Sequence, residues 1–323
     1  MRVLVVGGSG AIGGRLLPQL VTAGHQVTAT SRSAGRAARL RSLGAEPLAL
    51  DVLDRAAVRA AVAGAGPDAI IYQATALAGV ALSRNMDRSF GLTNRLRTEG
   101  LDNLLAAAGE AGRPRFIAQS FAPFRYAHTP GLVKDEDDPL LADPPASARQ
   151  MFAAMAYLDE TVLAAGGIAL RYGGFYGDED AMVAAVRKRQ FPLVGDGGGI
   201  MPFIHLHDAA AATVLALDAA GPTIYNITDD EPAPMRDWLP GLAAAVGAKP
   251  PRHVPTWLAA LLMGGMLPVM TQARGAANAK ARKELGWTPR YPSWREGFPA
   301  SFAHERATAA AGRRLRATRT ARR

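Results

Sequence analysis

Near the start of the chain, Val3-Leu4-Val5-Val6-Gly7-Gly8-Ser9-Gly10-Ala11-Ile12-Gly13-Gly14 joins an apolar strand to a helix through glycines spaced three apart. Each glycine has a separate physical task. Gly7 turns the chain sharply off the strand, Gly10 removes the Cβ that would hold the backbone away from a pyrophosphate, and Gly13 lets helix and strand pack closely. Unpaired N–H groups and the helix dipole at the helix start favour negative charge there. Leu16, Leu17 and Leu20 follow at helical spacing, which supplies the strand-turn-helix context that a bare glycine triplet lacks. The segment reads as a dinucleotide cradle made of Gly7, Ser9, Gly10, Ala11, Ile12 and Gly13.

Short apolar runs at 3–6, 26–30, 46–50, 69–73, 115–119 and 167–170 alternate with amphipathic stretches at 15–23, 34–43, 55–63, 98–108 and 149–164. Such alternation predicts βαβ units, hence an α/β fold of Rossmann type with a doubly wound parallel sheet. Ligands of these sheets bind beyond the carboxyl ends of the strands. Past residue 175 proline and glycine become frequent, as at Pro192, Gly195, Gly197–Gly199, Pro202, Pro250 and Pro251. The expected organisation is a dinucleotide-binding domain over 1–175, with sheet elements returning later in the chain. A smaller substrate lobe follows over 176–303, and a basic, disordered tail over 304–323.

Composition bounds the partners. Of the formal charge of +9, seven units come from arginines at 306, 313, 314, 316, 319, 322 and 323, which leaves +2 for the rest. Nucleic-acid binding by the folded part is therefore not expected. The chain has no cysteine, so disulfides and thiolate metal sites are excluded. A folded strand from residue 2 argues against a cleaved signal peptide and for the cytoplasm. The apolar stretch 257–270 is interrupted by Gly264, Gly265 and Pro268 and is too short to span a membrane.

The strand ends carry the cofactor reading. Thr30-Ser31-Arg32-Ser33 follows the second strand with no acidic residue to hold two ribose hydroxyls. A guanidinium flanked by hydroxyls suits a 2′-phosphate, so NADP(H) is preferred to NAD(H). Asp51 and Val52 follow the third strand, where the carboxylate fits an adenine amino group and the valine a ring face. The ordinary alternative, a helix cap, is better served by Asp54. Ala74, Thr75 and Ala76 follow the fourth strand with small side chains, suited to a close ribose.

These positions resemble the extended short-chain dehydrogenase/reductase family, in its epimerase/dehydratase branch, over nearly the whole chain. Beyond the glycine motif the resemblance rests on Gly100-Leu101-Asp102-Asn103-Leu104-Leu105 and on Ser120 after the fifth strand. It continues through Leu170-Arg171-Tyr172-Gly173-Gly174-Phe175-Tyr176-Gly177, Val194-Gly195-Asp196-Gly197, Phe203-Ile204-His205-Leu206-His207-Asp208, Tyr225-Asn226-Ile227 and Glu284-Leu285-Gly286-Trp287-Thr288-Pro289. The resemblance adds Tyr172 and Gly173 to the expected cofactor contacts.

The family pattern also implies a tyrosine and, four residues on, a lysine that lowers its pKa so that the phenol moves a proton. Aligned through Glu160, this chain has Phe152 and Ala156 at those places, and neither can move a proton. Ser120 matches the family's substrate-binding hydroxyl and is the first candidate for the reacting centre, with Tyr126 as its acid. Tyr172, Tyr176 and Tyr157 are alternatives, although Tyr157 requires a register shift and Thr161 stands where its lysine would be. His128 and Lys134 are further proton sources in the loop after Ser120. Arg97 occupies the place of a family asparagine. His205 and His207 alternate on an expected strand, point to opposite faces and do not form a metal pair.

Met201-Pro202 stand where nucleotide-sugar members keep a diphosphate-gripping arginine, and Phe203, Trp257, Leu258, Leu261, Leu262, Met263 and Met266 add an apolar pocket or interface. The expected activity is NADP(H)-dependent oxidoreduction of a carbonyl, an alcohol or an activated alkene on an apolar small molecule. A non-redox epimerase, dehydratase or cyclase and a non-catalytic NADP(H) sensor or partner-binding protein stay open, as does a homodimer.

Overall fold

The structure, a computed structural model, describes residues 1–77, 80, 83–178 and 180–303. The basic tail expected over 304–323 lies outside the described residues. Seven parallel strands form the central sheet: β1 (Arg2–Val6), β2 (Gln26–Ser31), β3 (Glu46–Ala49), β4 (Ala69–Tyr72), β5 (Arg115–Phe121), β6 (Ile168–Tyr172) and β7 (Thr223–Ile227). Their spatial order is β7-β6-β5-β4-β1-β2-β3. The reversal beside β1 places the glycine loop at the switch point where a doubly wound sheet opens a crevice.

Helices cover both faces because the strands are apolar on both. On one face α1 (Gly13–Thr22) packs Leu16, Leu17 and Leu20 on Val3, Val5 and Ala29. On the other, α3 (Arg55–Ala65), α5 (Leu101–Glu110) and α6 (Arg149–Ala164) bury Val58, Val62, Leu104, Leu158 and Val162 on Leu4, Val6 and Ile70. Asp54 caps α3 by accepting the Ala57 N–H at 3.0 Å. Two elements matter for the site. The short α2 (Ala37–Ser42) follows β2, and α4 (Met86–Arg95) runs into a π-helical turn, Leu96–Gly100, before α5.

A second apolar core gathers Tyr176, Phe203, Trp238, Leu239, Trp294, Phe298 and Phe302. Around it lie α7 (Ala181–Arg187) and α9 (Met235–Ala245), with α10 (Thr256–Met263) and α11 (Met266–Thr271) nearby. Between these, α8 (Leu206–Leu215) and β7 return to the central sheet, where α8 packs beside α1. His205 ends the short strand Phe203–His205, and His207 lies in the first turn of α8. The expected two-histidine strand is thus corrected: the helix begins one residue after His205, whose Nδ1 accepts the His207 N–H at 3.0 Å. Among the described residues no cluster could hold a metal ion, and no helix is long and apolar enough to cross a membrane.

Candidate active site

Gly7 has φ +89°, and a Cβ there would lie 2.7 Å from the Ala74 nitrogen, so the loop is pressed against the end of β4. A Cβ on Gly13 would overlap the Gly8 carbonyl oxygen, which is why helix and loop come so close. At Gly10 the only neighbour of such a Cβ is the Gly7 oxygen at 3.3 Å, and Gly10 and Ala11 are exposed. Ile12 is buried and anchors the start of α1, and the Ser9 side chain stays at the rim. The loop is thus closed below by contact and open above at Gly10 and Ala11, beside the start of α1, which fits a pyrophosphate.

At the end of β2 the Ser31 hydroxyl is buried and accepts the Ser33 N–H at 3.2 Å, while Arg32 and Ser33 are exposed. The guanidinium that reaches the glycine loop is Arg36. Its Nη1 donates to the Ser9 carbonyl at 3.1 Å and to the Ser9 hydroxyl at 3.2 Å. Arg36 lies outside the residues expected from the sequence; its only signal is a basic residue one helical turn beyond Arg32. Asp51 is exposed and accepts the Leu53 N–H at 3.0 Å. Val52 is buried against Gly100, so its expected position on a ring face is corrected to an inward one. Ala74, Thr75 and Ala76 are half-buried around the loop.

Strand β5 runs two residues beyond the expected end, so Ser120 and Phe121 point to opposite faces. Ser120 pairs in register with Arg171 on β6, and Arg171 with Asn226 on β7, giving a polar row across three strands. Above it sits Asp159 of α6. Its carboxylate accepts from the Ser120 hydroxyl at 2.5 Å, from Arg125 Nη1 at 2.7 Å and from Arg171 Nε at 2.9 Å. Burial alone would raise the Asp159 pKa, but the charges of Arg125 and Arg171 outweigh it and hold the carboxyl below its ordinary range. Arg97, from the π-helical turn, is 4% exposed and joins this cluster. Burial, with the like charge of Arg125 adding to it, lowers its pKa to about 10, so it stays a cation at neutral pH.

The tyrosines are placed differently from expectation. Tyr126 is buried, donates to Asn226 Oδ1 at 2.7 Å and receives Arg171 Nη1 at 3.4 Å. Burial raises its pKa, which leaves a poor acid at neutral pH. Tyr172 is fully buried, its hydroxyl held between Thr213 Oγ1 at 2.6 Å and Gln73 Nε2 at 3.1 Å, and Gly173 is pressed on the Phe203 backbone. Both therefore serve packing rather than an open cofactor surface. Tyr176 is buried edge-on against Phe203 and Phe298. Tyr157 points to the outer side of α6 and donates to Asp102 at 2.7 Å, since five residues at about 100° each turn it about 140° away from Phe152. Lys134 is buried and spent on Thr129, the Pro130 carbonyl and Asp138, while His128 is half-buried.

The surroundings of Phe152 on α6 are apolar. Phe152 packs with Met86, Met151, Met155, Met266 and Met270, and Phe90, Phe121 and Phe124 lie against the same cluster. A small cavity opens beside it, lined by Ser83, Met86, Leu262, Met263, Met266 and Met270. Ala156 is half-buried, and α6 contains no lysine.

The chain matches the model of the NAD dependent epimerase/dehydratase family over residues 3–228. It is 41% identical over 312 residues, 92% of this chain and 99% of the relative, to a 3-diazoavenalumate denitrifying reductase from a Streptomyces species. It is 33% identical over 264 residues, 77% of this chain and 76% of the relative, to a 2-alkyl-3-oxoalkanoate reductase of Stenotrophomonas maltophilia. In fold it is similar to UDP-glucose 4-epimerase of Thermotoga maritima, with TM-score 0.75 at 20% identity over 96% of this chain and 100% of that one. A human epimerase family protein solved with NADPH gives TM-score 0.70 at 20% identity over 94% and 99%. With the glycine cradle, the parallel sheet and these likenesses together, the chain belongs to the NAD dependent epimerase/dehydratase family and is an NAD(P)-dependent enzyme of its oxidoreductase or epimerase type.

Proposed function

We propose that the protein is an NADP(H)-dependent reductase whose acceptor, carried on a largely apolar small molecule, needs no proton from the enzyme. The observation that carries this reading is the inward face of α6, where Phe152 and Ala156 supply no titratable group. The hydroxyls expected to act instead, Ser120 and Tyr126, are committed to buried partners.

Residues 7–13 would hold the pyrophosphate, and Arg36 with Arg32 and Ser33 would hold a 2′-phosphate at the end of β2. When bound, the reduced nicotinamide supplies hydride. Phe121, Phe124, Phe152 and the methionines around them exclude water from an acceptor lying against them. An aromatic diazonium suits such a wall. As hydride arrives a C–H bond replaces the C–N bond, the C–N electron pair leaves with dinitrogen, and no proton enters or departs. The name of the 41%-identical relative, a denitrifying reductase of a diazo compound, supports the same acceptor. Carbonyl reduction is the second reading, favoured by the oxoalkanoate reductase likeness; its alkoxide would draw a proton from water.

The test is turnover of a diazotised aminobenzoate with NADPH deuterated at the transferable position. The expected result is one dinitrogen released per NADPH oxidised, with deuterium on the ring carbon, above the rate with heat-denatured protein. Release of no dinitrogen while ketones are reduced would move the assignment to the carbonyl reading. Conversion of substrate without net NADPH oxidation would overturn the reductase reading in favour of an isomerase or lyase.

A further inference from the structure

The described residues contain two buried side chains on one helix face that carry polar atoms without a partner. Asn94 is 8% exposed, and neither its Oδ1 nor its Nδ2 makes a hydrogen bond. Arg97 is 4% exposed, and its Nη1 is likewise without a partner. Buried polar groups are almost always paired, and an unpaired buried guanidinium N–H is costly. The two residues lie three apart, about one turn, at the point where α4 widens into the π-helical turn. Such turns recur at functional sites.

The opposite wall is α6. Asp87 at the start of α4 accepts the backbone N–H groups of Gln150 and Met151 at 3.1 and 2.8 Å, so the two helices begin together and run side by side. At their starts they face each other with Met86, Phe90, Met151 and Phe152. At the other end stand Asn94 and Arg97, and Arg97 lies in the electrostatic reach of Arg125, Asp159 and Tyr72. From Met86 to Arg97 the seam is about 16 Å long at 1.5 Å per residue. Three arginines, Arg97, Arg125 and Arg171, surround the single carboxylate of Asp159, which pairs with the last two and leaves Arg97 in surplus.

The geometry points to a carboxylate subsite: Arg97 and Asn94 read the anionic end of a substrate whose apolar body lies along the methionine and phenylalanine half of the seam. A planar carboxylate accepts from guanidinium and amide N–H groups together, which matches the orphaned donors. This assignment names the substrate class of the same site and rests on the reductase reading for the reacting group only. The carboxylate end is read from Asn94 and Arg97 themselves.

Binding separates the two claims, because it needs no turnover. The probes are 4-hydroxycinnamate, its carboxamide and its methyl ester, titrated calorimetrically into the NADP⁺-loaded full-length protein. The acid is expected to bind at least tenfold more tightly than the amide or ester. Arg97→Gln is expected to erase that preference without changing the affinity for NADP⁺, and Arg97→Lys to restore part of it. Equal binding of acid and amide by the wild-type protein would overturn the subsite whether or not any variant folds, as would a preference that survives in Arg97→Gln. If the preference depends on Arg97 while neither diazonium nor ketone is reduced, the subsite stands and the reductase reading fails. If a diazonium without a carboxylate is turned over as well as one that has it, the reductase reading stands and the subsite fails.

Discussion

Arg36 shows how a residue can matter more for its reach than for its place in a motif. Its guanidinium rests on Ser9 of the glycine loop, whereas Arg32 is exposed beside it, so Arg36 spans from the end of β2 to the phosphate side of the cradle. Arg36→Ala is expected to weaken NADPH binding about ten- to hundredfold, in line with losing charge-assisted hydrogen bonds, and to leave NADH binding nearly unchanged. Fluorescence titration of both dinucleotides checks this; equal loss for the two would assign Arg36 to the pyrophosphate instead. The glycines were legible in the sequence because each acts through its backbone and needs no partner to be recognised. Arg36 was not, since which basic residue after a strand turns back depends on the short helical turn Ala34–Arg36. Ser120 illustrates a parity effect. Alternation along β5 sends Ser120 to Asp159 and the phenylalanine after it to the cluster around Phe152.

The elements were read from periodicity with most boundaries within a residue or two, and α6 at both ends, because long amphipathic helices and buried parallel strands carry their pattern locally. The polar row Ser120, Arg171 and Asn226 was not legible as a row. It is set by register among three strands separated by about fifty residues each, and no local pattern encodes register between distant strands. Asp159 binds that row to α6 through Ser120 and a buried ion pair with Arg171, and makes a second buried ion pair with Arg125. Asp159→Ala leaves Arg125 and Arg171 buried without their counter-charge and is expected to cost about 3–5 kcal/mol. Thermal unfolding should show a fall of several degrees. Ser120→Ala removes one hydroxyl from the same network, and its turnover is expected to stay within severalfold of wild type. A loss beyond about a hundredfold, the scale of general acid–base effects, would put Ser120 at the reacting atom after all.

At the scale of the whole molecule, the chain leaves the sheet at β7 and enters the second core through Thr228 and Asp229. The Asp229 N–H donates to the Phe203 carbonyl at 2.6 Å, and its carboxyl is 1% exposed with Oδ2 unpartnered. Burial, reinforced by Glu231 and Asp230, pushes this carboxyl up to about 8. Its pKa is therefore raised on folding, so its protonated form stabilises the folded chain at low pH and that contribution is lost as pH climbs from about 4 toward 8. The melting temperature of wild type is expected to decline across that window more steeply than that of Asp229→Asn. Parallel pH profiles of the two proteins would refute the assignment. The doubly wound sheet was legible from strand and helix alternation, but this junction was not: proline- and glycine-rich sequence after residue 175 conceals which short segments return to the sheet.

The wall around Phe152 has a chemical consequence of its own. Seven of the ten methionines, Met86, Met151, Met155, Met235, Met263, Met266 and Met270, lie in or against that one cluster, and the chain has no cysteine. Oxidative damage to this protein therefore takes the form of sulfoxides rather than disulfides. Each added oxygen would put a polar, bulkier group into the apolar half of the seam. Peroxide would strike substrate binding while sparing the dinucleotide cradle, and the repair route would be sulfoxide reduction rather than thiol exchange. The same lack of thiols removes the nucleophile that a reactive electrophile would otherwise arylate, which suits the acceptor proposed above.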